Sequence, residues 1–373
     1  MEYRTLKDIA KITMGQSPDS SSYNKEKDGL PFFQGNADFC ELYPNERIWC
    51  NEPKKVAIPG DILISVRAPI GALNYAKEKS CIGRGLAAIT IKNVVERNYI
   101  FHLLRARNKY LNSKGTGSTF KAIGKNVLEE VLVPQISREE QQKCVNVIDL
   151  IESIIIERKS QIDKLDELVR ARFVELFGYP LNSTKGWLEQ RLGECCVINP
   201  KKNTDNRLRE DLLISFIPMA SVSEKGDILK LEDKFYRDVK NGFTYFCDRD
   251  VLFAKITPCM ENGKGTVAVG LKNGIGFGST EFHVLRPIID KSNSYWLYTL
   301  TSFEIFRKKA EKNMTGSAGQ KRVPSSFLEN IQVSVPPINI QNEFEKFVIE
   351  IEKSKLLAAS QPQIHIYKTL TLL

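Results

Sequence analysis

The chain has 373 residues, enough for two or three domains, and its 42% hydrophobic and 27% charged residues are typical of a globular protein. No apolar run reaches the ~18 residues that cross a bilayer, and the N-terminus lacks the apolar segment of a secretory signal, so we expect a cytoplasmic protein. Eight cysteines without a Cys-x-x-Cys pair, beside three histidines, predict no bound metal.

The formal net charge of +9 is concentrated in two segments. Residues 1–136 carry 20 Lys and Arg against 14 Asp and Glu, a net of +6, and residues 181–336 carry 23 against 18, a net of +5. Residues 137–180 have a net charge of −2, and residues 337–373 are neutral. Two basic bodies joined by near-neutral connectors favour a nucleic-acid partner.

The first basic segment, 1–136, predicts a sheet-rich α+β body. Its strand-like runs at 61–66 and 85–91 are bounded by turn signals such as Ala68-Pro69, and a helical segment is expected at 98–112. A long helix follows in 137–180. Ser137 and Glu140 form a capping box, and apolar residues then recur at a spacing near 3.5 up to Gly178. Forty residues of helix make a rod of about 60 Å.

The second basic segment, 181–336, has the same pattern of predicted strands, turns and helices. Strand-like runs are expected at 251–256, 266–269 and 281–285, and a helical segment at 295–312. The glycine cluster 274–278 has the wrong spacing for a phosphate cradle, so we predict a turn there. A second amphipathic helix occupies 337–373, with Asn339 as its N-cap, and Pro362 should stop or kink it.

Four matches in the same order indicate an internal repeat. The segments 6–12, 60–69, 116–118 and 127–134 recur at 192–198, 249–258, 315–317 and 327–336. The offset rises steadily from 186 to about 202 residues, as a duplication with small insertions would require. We interpret the chain as a tandem duplication.

The predicted fold class is α+β: two sheet-rich globular domains separated by two long helices that pack as an antiparallel coiled coil, with a pseudo-twofold internal repeat. A lone helix with an exposed apolar stripe needs a partner, and its own repeat can supply one. The alternative is two unrelated amphipathic helices, each packed on its own domain. The residues expected in the helix contact or in partner binding are Ile148, Ile151, Ile155, Ile162, Leu165, Phe344, Phe347 and Ile351.

A search for catalytic residues is negative. The chain has no phosphate-binding loop, no Asn/Asp-Pro-Pro-aromatic tetrapeptide for amino methylation and no credible Ser/His/Asp or Cys/His set. Polar loops suited to DNA remain, since Arg reads guanine, Asn and Gln read adenine, and Ser, Thr and Lys hold phosphates. The candidate DNA-binding residues are Gln16, Ser17, Lys25, Gln34, Asn36, Arg67, Ser118, Lys121, Lys255, Thr257, Ser317, Gln320, Lys321 and Arg322.

These motifs resemble the specificity (S) subunit of Type I restriction–modification enzymes over essentially the whole length. The resemblance is carried by Leu6-Lys-Asp-Ile-Ala with Gly15-Gln-Ser-Pro18, by the run 60–67, by Thr-Gly-Ser before a Val-Pro exit, and by both ends of the long helix, Glu140-Gln-Gln and Arg172-Phe…Leu-Phe-Gly178. It implies two target-recognition domains and a helical spacer. It also implies partners: double-stranded DNA, two methyltransferase (M) subunits and motor/nuclease (R) subunits.

The resemblance further implies that S-adenosylmethionine and ATP with Mg²⁺ belong to the partner subunits, with no cofactor in this chain. Because Pro362 interrupts the second helix, we expect it to be shorter than the first and to offer one M subunit less surface. The leading hypothesis is therefore a non-catalytic DNA-specificity subunit. Two alternatives stay open: a divergent DNA methyltransferase or nuclease, and an assembly protein that does not read DNA.

Overall fold

The fold consists of two units. The computed structural model describes residues 2–117, 121–182, 185–202, 207–317 and 319–359. The described residues up to Arg158 form the first unit, and those from Lys159 onward form the second. Both units are mixed α/β and rich in sheet. No helix in these ranges is both long and apolar enough to span a membrane.

The first unit is built from short strands with helices between them. Its strands are β1 (Tyr3–Thr5), β2 (Lys11–Met14), β3 (Tyr23–Asn24), β4 (Leu30–Phe33), β5 (Trp49–Cys50), β6 (Val56–Ala57), β7 (Ile62–Ser65), β8 (Leu73–Tyr75), β9 (Ser80–Ile82), β10 (Leu86–Thr90) and β11 (Leu132–Pro134). Its helices are α1 (Leu6–Ile9), α2 (Val94–Ala106), α3 (Asn108–Ser113), α4 (Lys125–Glu129) and the start of α5 (Arg138–Phe177).

An antiparallel sheet with strand order β2-β10-β7-β8 carries the core of the first unit. The central strand β10 is buried except for its last residue, as expected for an apolar strand with neighbours on both sides. Helix α2 buries Tyr99, Ile100 and Leu103 against this sheet. A second sheet, β3-β5-β4-β9-β6, contains one parallel pair, β4 with β9.

The second unit repeats this organisation. Its strands are β12 (Leu188–Arg191), β13 (Cys196–Ile198), β14 (Leu213–Ile217), β15 (Glu232–Phe235), β16 (Thr244–Cys247), β17 (Val251–Ala254), β18 (Gly265–Val267), β19 (Ile275–Gly278), β20 (Phe282–Pro287) and β21 (Gln332–Val335). Its helices are α6 (Leu192–Cys195), α7 (Tyr236–Val239), α8 (Ser294–Ser302), α9 (Glu304–Lys312), α10 (Ser325–Asn330) and α11 (Ile338–Ala359), together with the end of α5.

The four-stranded core sheets of the two units correspond strand by strand. The order β13-β20-β17-β18 in the second unit matches β2-β10-β7-β8 in the first, and both sheets are antiparallel throughout. The second sheet, β15-β14-β19-β16, again contains one parallel pair, β14 with β19. A two-stranded ribbon, β1-β11 or β12-β21, completes each unit.

The long helix α5 begins and ends where the sequence predicts. The Ser137 hydroxyl accepts from the Glu140 backbone N–H at 3.2 Å, and the Glu140 carboxylate accepts from the Ser137 N–H at 2.8 Å, which confirms the capping box. Gly178 directly follows the helix with φ of +81°, a left-handed conformation that glycine adopts without strain.

The first half of α5 packs on its own unit. Val145 and Ile148 lie within the core of the first unit, and Ile151 packs against it. Val147, Leu150 and Ile155, on other faces of this half, are exposed. For this half of the helix, the alternative of an amphipathic helix packed on its own domain describes the observed contacts.

The second half of α5 runs antiparallel to α11 within the second unit. The Phe344 ring lies 5.6 Å from Phe173 and 5.4 Å from Phe177, near one end of the contact. Lys355 forms an ion pair with Asp166 at the other end. Of the predicted contact residues, Phe344 and Ile351 are buried, and Ile162, Leu165 and Phe347 are partly buried.

Three sequence-based boundaries were wrong. Helix α11 begins at Ile338, and Asn339 lies inside its first turn, because the Pro337 carbonyl accepts from the N–H groups of Ile340 and Gln341. Each helical segment expected at 98–112 and 295–312 is two helices, α2 with α3 and α8 with α9. Pro362, where we expected α11 to stop or kink, lies outside the described residues.

The predicted turn at 274–278 was also wrong, because Ile275–Gly278 is the buried strand β19. It pairs with β14 on one side and β16 on the other. A Cβ on Gly276 would lie 2.1 Å from the Phe246 ring, and one on Gly278 would lie 2.3 Å from the Ile217 carbonyl oxygen. The glycines therefore make room for neighbours across the sheet, and this tertiary requirement overrides their usual preference for turns.

The buried histidine of the second unit predicts a pH-dependent stability. His283 Nε2 lies 2.8 Å from the Val323 carbonyl oxygen, and burial lowers the pKa of His283 below 6.5. The unfolded chain therefore binds more protons below about pH 6.5, so the free energy of unfolding should fall by up to about 1 kcal/mol between pH 7.5 and 5.5. Urea midpoints at the two pH values measure this, and His283→Gln should flatten the dependence. An equal pH slope in both proteins would contradict the assignment.

Candidate nucleic-acid interface

A polar cavity of about 260 Å³ lies where four loops of the first unit meet. The loops follow β2, β4, β7 and β9. The lining residues are Ser17, Gln34, Gly35, Asn36, Ser65, Arg67, Arg84 and Gly85. Four candidates that are far apart in the sequence, Ser17, Gln34, Asn36 and Arg67, are thereby brought together.

Glycines allow these loops to pack backbone against backbone. A Cβ on Gly85 would lie 2.3 Å from the Gln34 carbonyl oxygen, and a Cβ on Gly15 would lie 2.1 Å from that of Gly83. The Gly85 N–H donates to the Gln34 carbonyl at 3.2 Å. Substituting either glycine would separate the loops that form the cavity.

Side-chain hydrogen bonds order the backbone of the loops that carry the polar residues. Asp38 Oδ2 accepts from the Gln34 N–H at 2.8 Å and so orders the turn that carries Gln34 and Asn36. Ser65 Oγ donates to the carbonyls of Arg67 and Pro69, at 2.8 and 2.9 Å, which orders the end of β7. A site built on such supported loops can present side chains in defined positions.

The cavity carries two cations. Arg67 and Arg84 are both exposed, and neither has an ion-pair partner within the described part of the chain. Two arginines beside two carboxamides match the donors and acceptors on guanine and adenine edges, and unpaired cations attract phosphates. The arrangement can therefore bind nucleic acid; we find no nucleophile and base within it.

The second unit repeats the backbone of this site. Lys255 N–H donates to the Glu281 carbonyl at 2.9 Å, as Val66 N–H does to the Gly85 carbonyl at 2.9 Å. Thr257 N–H donates to the Lys321 carbonyl at 3.0 Å, where Ala68 N–H donates to that of Lys121 at 3.1 Å. The peptide bonds before Pro69 and Pro258 are both cis.

The side chains on this common backbone differ. The hydrogen bonds make Glu281 the counterpart of Gly85, and by the same register Ile256 replaces Arg67 and Arg322 replaces Ala122. Arg322 donates to the Glu281 carboxylate, which lowers the pKa of that carboxyl. Thr257 Oγ1 donates to Glu261 at 2.8 Å. The two units thus present different polar groups from equivalent places.

The remaining candidates are distributed around these two sites. Gln16 is exposed next to Ser17, and Lys121 is exposed opposite Ala68. Lys25 is exposed beyond β3 and does not line the cavity. Ser317, Gln320 and Lys321 are exposed in the hairpin that ends at Arg322. Ser118 lies outside the described residues.

Two site residues were missed. Arg84 stands between Gly83 and Gly85, and an arginine flanked by glycines in a loop was an available signal. Glu281 had no such signal, because an isolated glutamate before a strand is ordinary surface, and only the fold brings it to Arg322.

One group of side chains outside these sites has residue types that can bind a metal ion. Ligand atoms of His102, Asp149 and Glu152 lie within 4.8 Å of one another. Arg105 already pairs with Glu152, and His102 Nδ1 has no hydrogen-bond partner among the described residues, whereas a metal-bound imidazole normally donates from its second nitrogen. These contacts fit an ion-pair group between α2 and α5 better than a metal centre.

Comparison with known proteins places the chain in a family. The sequence model of the Type I restriction modification DNA specificity domain matches residues 1–166 and 184–362. The chain belongs to this family. Both polar sites lie within the two matched segments of the specificity domain.

Among specificity-domain relatives, the Type I restriction enzyme EcoAI specificity subunit of Escherichia coli is 45% identical over 163 residues, covering 43% of this chain and 27% of that subunit. The Type I restriction enzyme MjaIX specificity subunit of Methanocaldococcus jannaschii is 23% identical over 403 residues, covering 98% of this chain and 90% of that subunit. The matched part of the chain spans 27% to 37% of the length of three curated relatives that are 38% to 47% identical to it.

A solved structure shares the specificity-domain fold over the whole chain. The crystal structure of the Type I restriction-modification system S subunit from M. genitalium has a TM-score of 0.51 at 13% identity and covers 100% of this chain and 93% of that one. At this identity the likeness concerns the fold alone.

Proposed function

We propose that this chain is the sequence-specific DNA-recognition subunit of a Type I restriction–modification complex, in which each unit reads one half of a bipartite target. The observation that carries the proposal is the repeated backbone with unlike polar side chains. Arg67 and Arg84 stand at one site, and Glu281 and Arg322 at its equivalent. Two different half-sites can be read by one backbone scaffold if the exposed hydrogen-bond donors and acceptors on it differ.

The domain organisation follows from the same proposal. Residues 1–136 and 181–336 are the target-recognition domains, and 137–180 and 337–373 are spacer helices, the first of which pairs through its second half with the second as an antiparallel coiled coil. The matching strand orders support a pseudo-twofold internal repeat, and the contact of Phe344 with Phe173 supports the helix pair. Such a spacer would set the gap between the half-sites.

The chemistry belongs to partners in this proposal. Two M subunits would dock on the spacer and transfer methyl groups from S-adenosylmethionine to adenine, and R subunits would supply ATP- and Mg²⁺-dependent cleavage. The chain itself would be non-catalytic and free of cofactor. The polar sites support this division, since their arginines, carboxamides and hydroxyls suit binding rather than bond breaking.

Adenine-methylation sequencing tests the proposal. A host free of methylation would express the chain with its cognate M subunit, and the control would omit the chain. A bipartite motif that appears only with the chain present is the expected result. A soluble complex that methylates no motif would contradict the recognition role and favour an assembly protein that does not read DNA.

Substitutions at the first polar site should affect one half-site only. Arg67→Ala and Arg84→Ala are each expected to weaken binding of the target by about 10- to 100-fold, because each removes an unpaired cation that can contact a base edge or a phosphate. Lys143→Ala removes the same charge from an exposed position on α5 and should have less than a twofold effect.

Titrations of labelled duplexes at fixed salt measure these affinities. Arg84→Lys separates the two contacts, because lysine keeps a phosphate contact but loses the bidentate fork. If both alanine variants bind like the parent protein, the cavity is not part of the interface.

A further inference from the structure

The guanidinium of Arg322 is clamped from one side by a carboxylate. Nε donates to Glu281 Oε2 at 2.9 Å and Nη2 donates to Oε1 at 2.8 Å, while Nη1 donates to the Gln320 carbonyl at 3.2 Å. Two backbone hydrogen bonds between Thr315 and Arg322, at 2.8 and 2.9 Å, hold the hairpin from which the side chain projects. Both ends of the side chain are therefore fixed before any ligand arrives.

The clamp leaves a fork of donors open. A guanidinium has five N–H bonds, and the contacts above use one on each of its three nitrogens. One N–H remains on Nη1 and one on Nη2, and the side chain is 41% exposed. Two donors left on the two terminal nitrogens of a planar group can complement the adjacent O6 and N7 acceptors of guanine in the major groove.

We infer that Arg322 reads a guanine in the half-site of the second unit, and that Glu281 is the positioning residue that aims its fork. This inference deepens the proposed function and rests on it. The first unit has neither group at the equivalent positions, where Gly85 takes the place of Glu281 and Ala122 takes the place of Arg322. The carboxylate and the arginine are thus present together in one unit and absent together in the other.

A different ion pair in the same unit shows why this one is assigned to recognition. Arg286 also donates through Nε and Nη2 to one carboxylate, that of Asp250. The Asp250 side chain is 2% exposed, and the Cys247 N–H donates to it as well, so that pair holds the fold together. The Glu281 side chain is 24% exposed, and Arg322 directly follows the exposed polar residues Gln320 and Lys321 in the chain.

The test is the methylation motif of Arg322→Lys and Glu281→Gln beside the parent protein, in the complex with the M subunit. In Arg322→Lys we expect the preference for guanine over the other bases at one position of one half-site to fall by about 10- to 100-fold. Lysine keeps the positive charge but lacks the two terminal N–H groups of the guanidinium. Glu281→Gln should weaken the same position by about 5- to 10-fold, because an unclamped arginine must be ordered on binding. The other half-site should not change.

Glu304→Gln is the matched control, since Glu304 and Lys308 form an exposed ion pair on α9 of the same unit. It should leave every position of the motif intact. Equal urea midpoints for the variants and the parent exclude a loss of folding as the cause.

Two results would overturn the inference. If Arg322→Lys leaves the base preference at every position of the motif unchanged, Arg322 does not read a base. If Glu281→Gln strengthens binding to all sequences equally, the carboxylate only neutralises the arginine. Absence of any motif in the parent protein would instead refute the proposed function, so the two failures are distinguishable.

Discussion

Phe344→Ala is expected to lower the free energy of unfolding of the second unit by about 3–5 kcal/mol, as for other buried phenylalanines. Phe344 is fully buried, and its ring meets Phe173 and Phe177 edge-on. These contacts join α11 to the second half of α5, so the cavity would open where the two helices meet. Truncation therefore removes packing that the helix pair cannot recover by a small shift.

Urea unfolding followed by tryptophan fluorescence measures this loss. The chain has three tryptophans, Trp49 in the first unit and Trp187 and Trp296 in the second, so a Trp49→Phe background reports on the second unit alone. Leu356→Ala, at a position 69% exposed on the same helix, is the control and should change stability by less than about 0.5 kcal/mol. Equal midpoints for the two variants would show that the helix contact contributes little.

A four-residue insertion after Ile155 is expected to abolish the original methylation motif and create one with a longer gap. Four helical residues add about 6 Å and little more than one turn, which is close to two base-pair steps of B-DNA. Both half-sites should stay the same, because the insertion lies in α5, outside the polar loops of either unit. Sequencing of methylated adenines gives the half-sites and the gap together.

The control for this prediction inserts four residues after Glu78, in an exposed turn between β8 and β9. That turn lies outside the spacer, so the gap should not change. The spacer proposal is refuted if the α5 insertion changes the half-sites and leaves the gap as it was.

Much of the architecture was predictable because it depends on local patterns. The capping box at Ser137 and the glycine after Phe177 set the two ends of α5, through hydrogen bonds and backbone conformation within a few residues. The strands expected at 61–66 and 251–256 were correct to within two residues, since short apolar runs next to proline and glycine leave few alternatives. The alignment of 60–69 with 249–258 also reproduces the backbone correspondence of the two sites.

The sites were predictable only in part, because their chemistry depends on distant neighbours. Gln34 and Arg67 were found as polar residues at strand ends, but their meeting with Arg84 depends on loop packing that no local pattern encodes. The strand at Ile275–Gly278 was missed for the same reason, since its glycines are required by the close approach of Phe246 and Ile217 from neighbouring strands.

Hydrophobic periodicity, helix caps and the internal repeat are visible in the residues alone, so the two-part organisation, the long helix and the polar loops were predictable. The tertiary structure decided which polar residues share a site and what each one faces. Arg67 and Arg84 remain unpaired among the described residues, while the guanidinium of Arg322 is aligned by Glu281. Hydrogen bonding acts over about 3 Å, so side chains 41 residues apart in the sequence interact only once the fold brings their chain segments together.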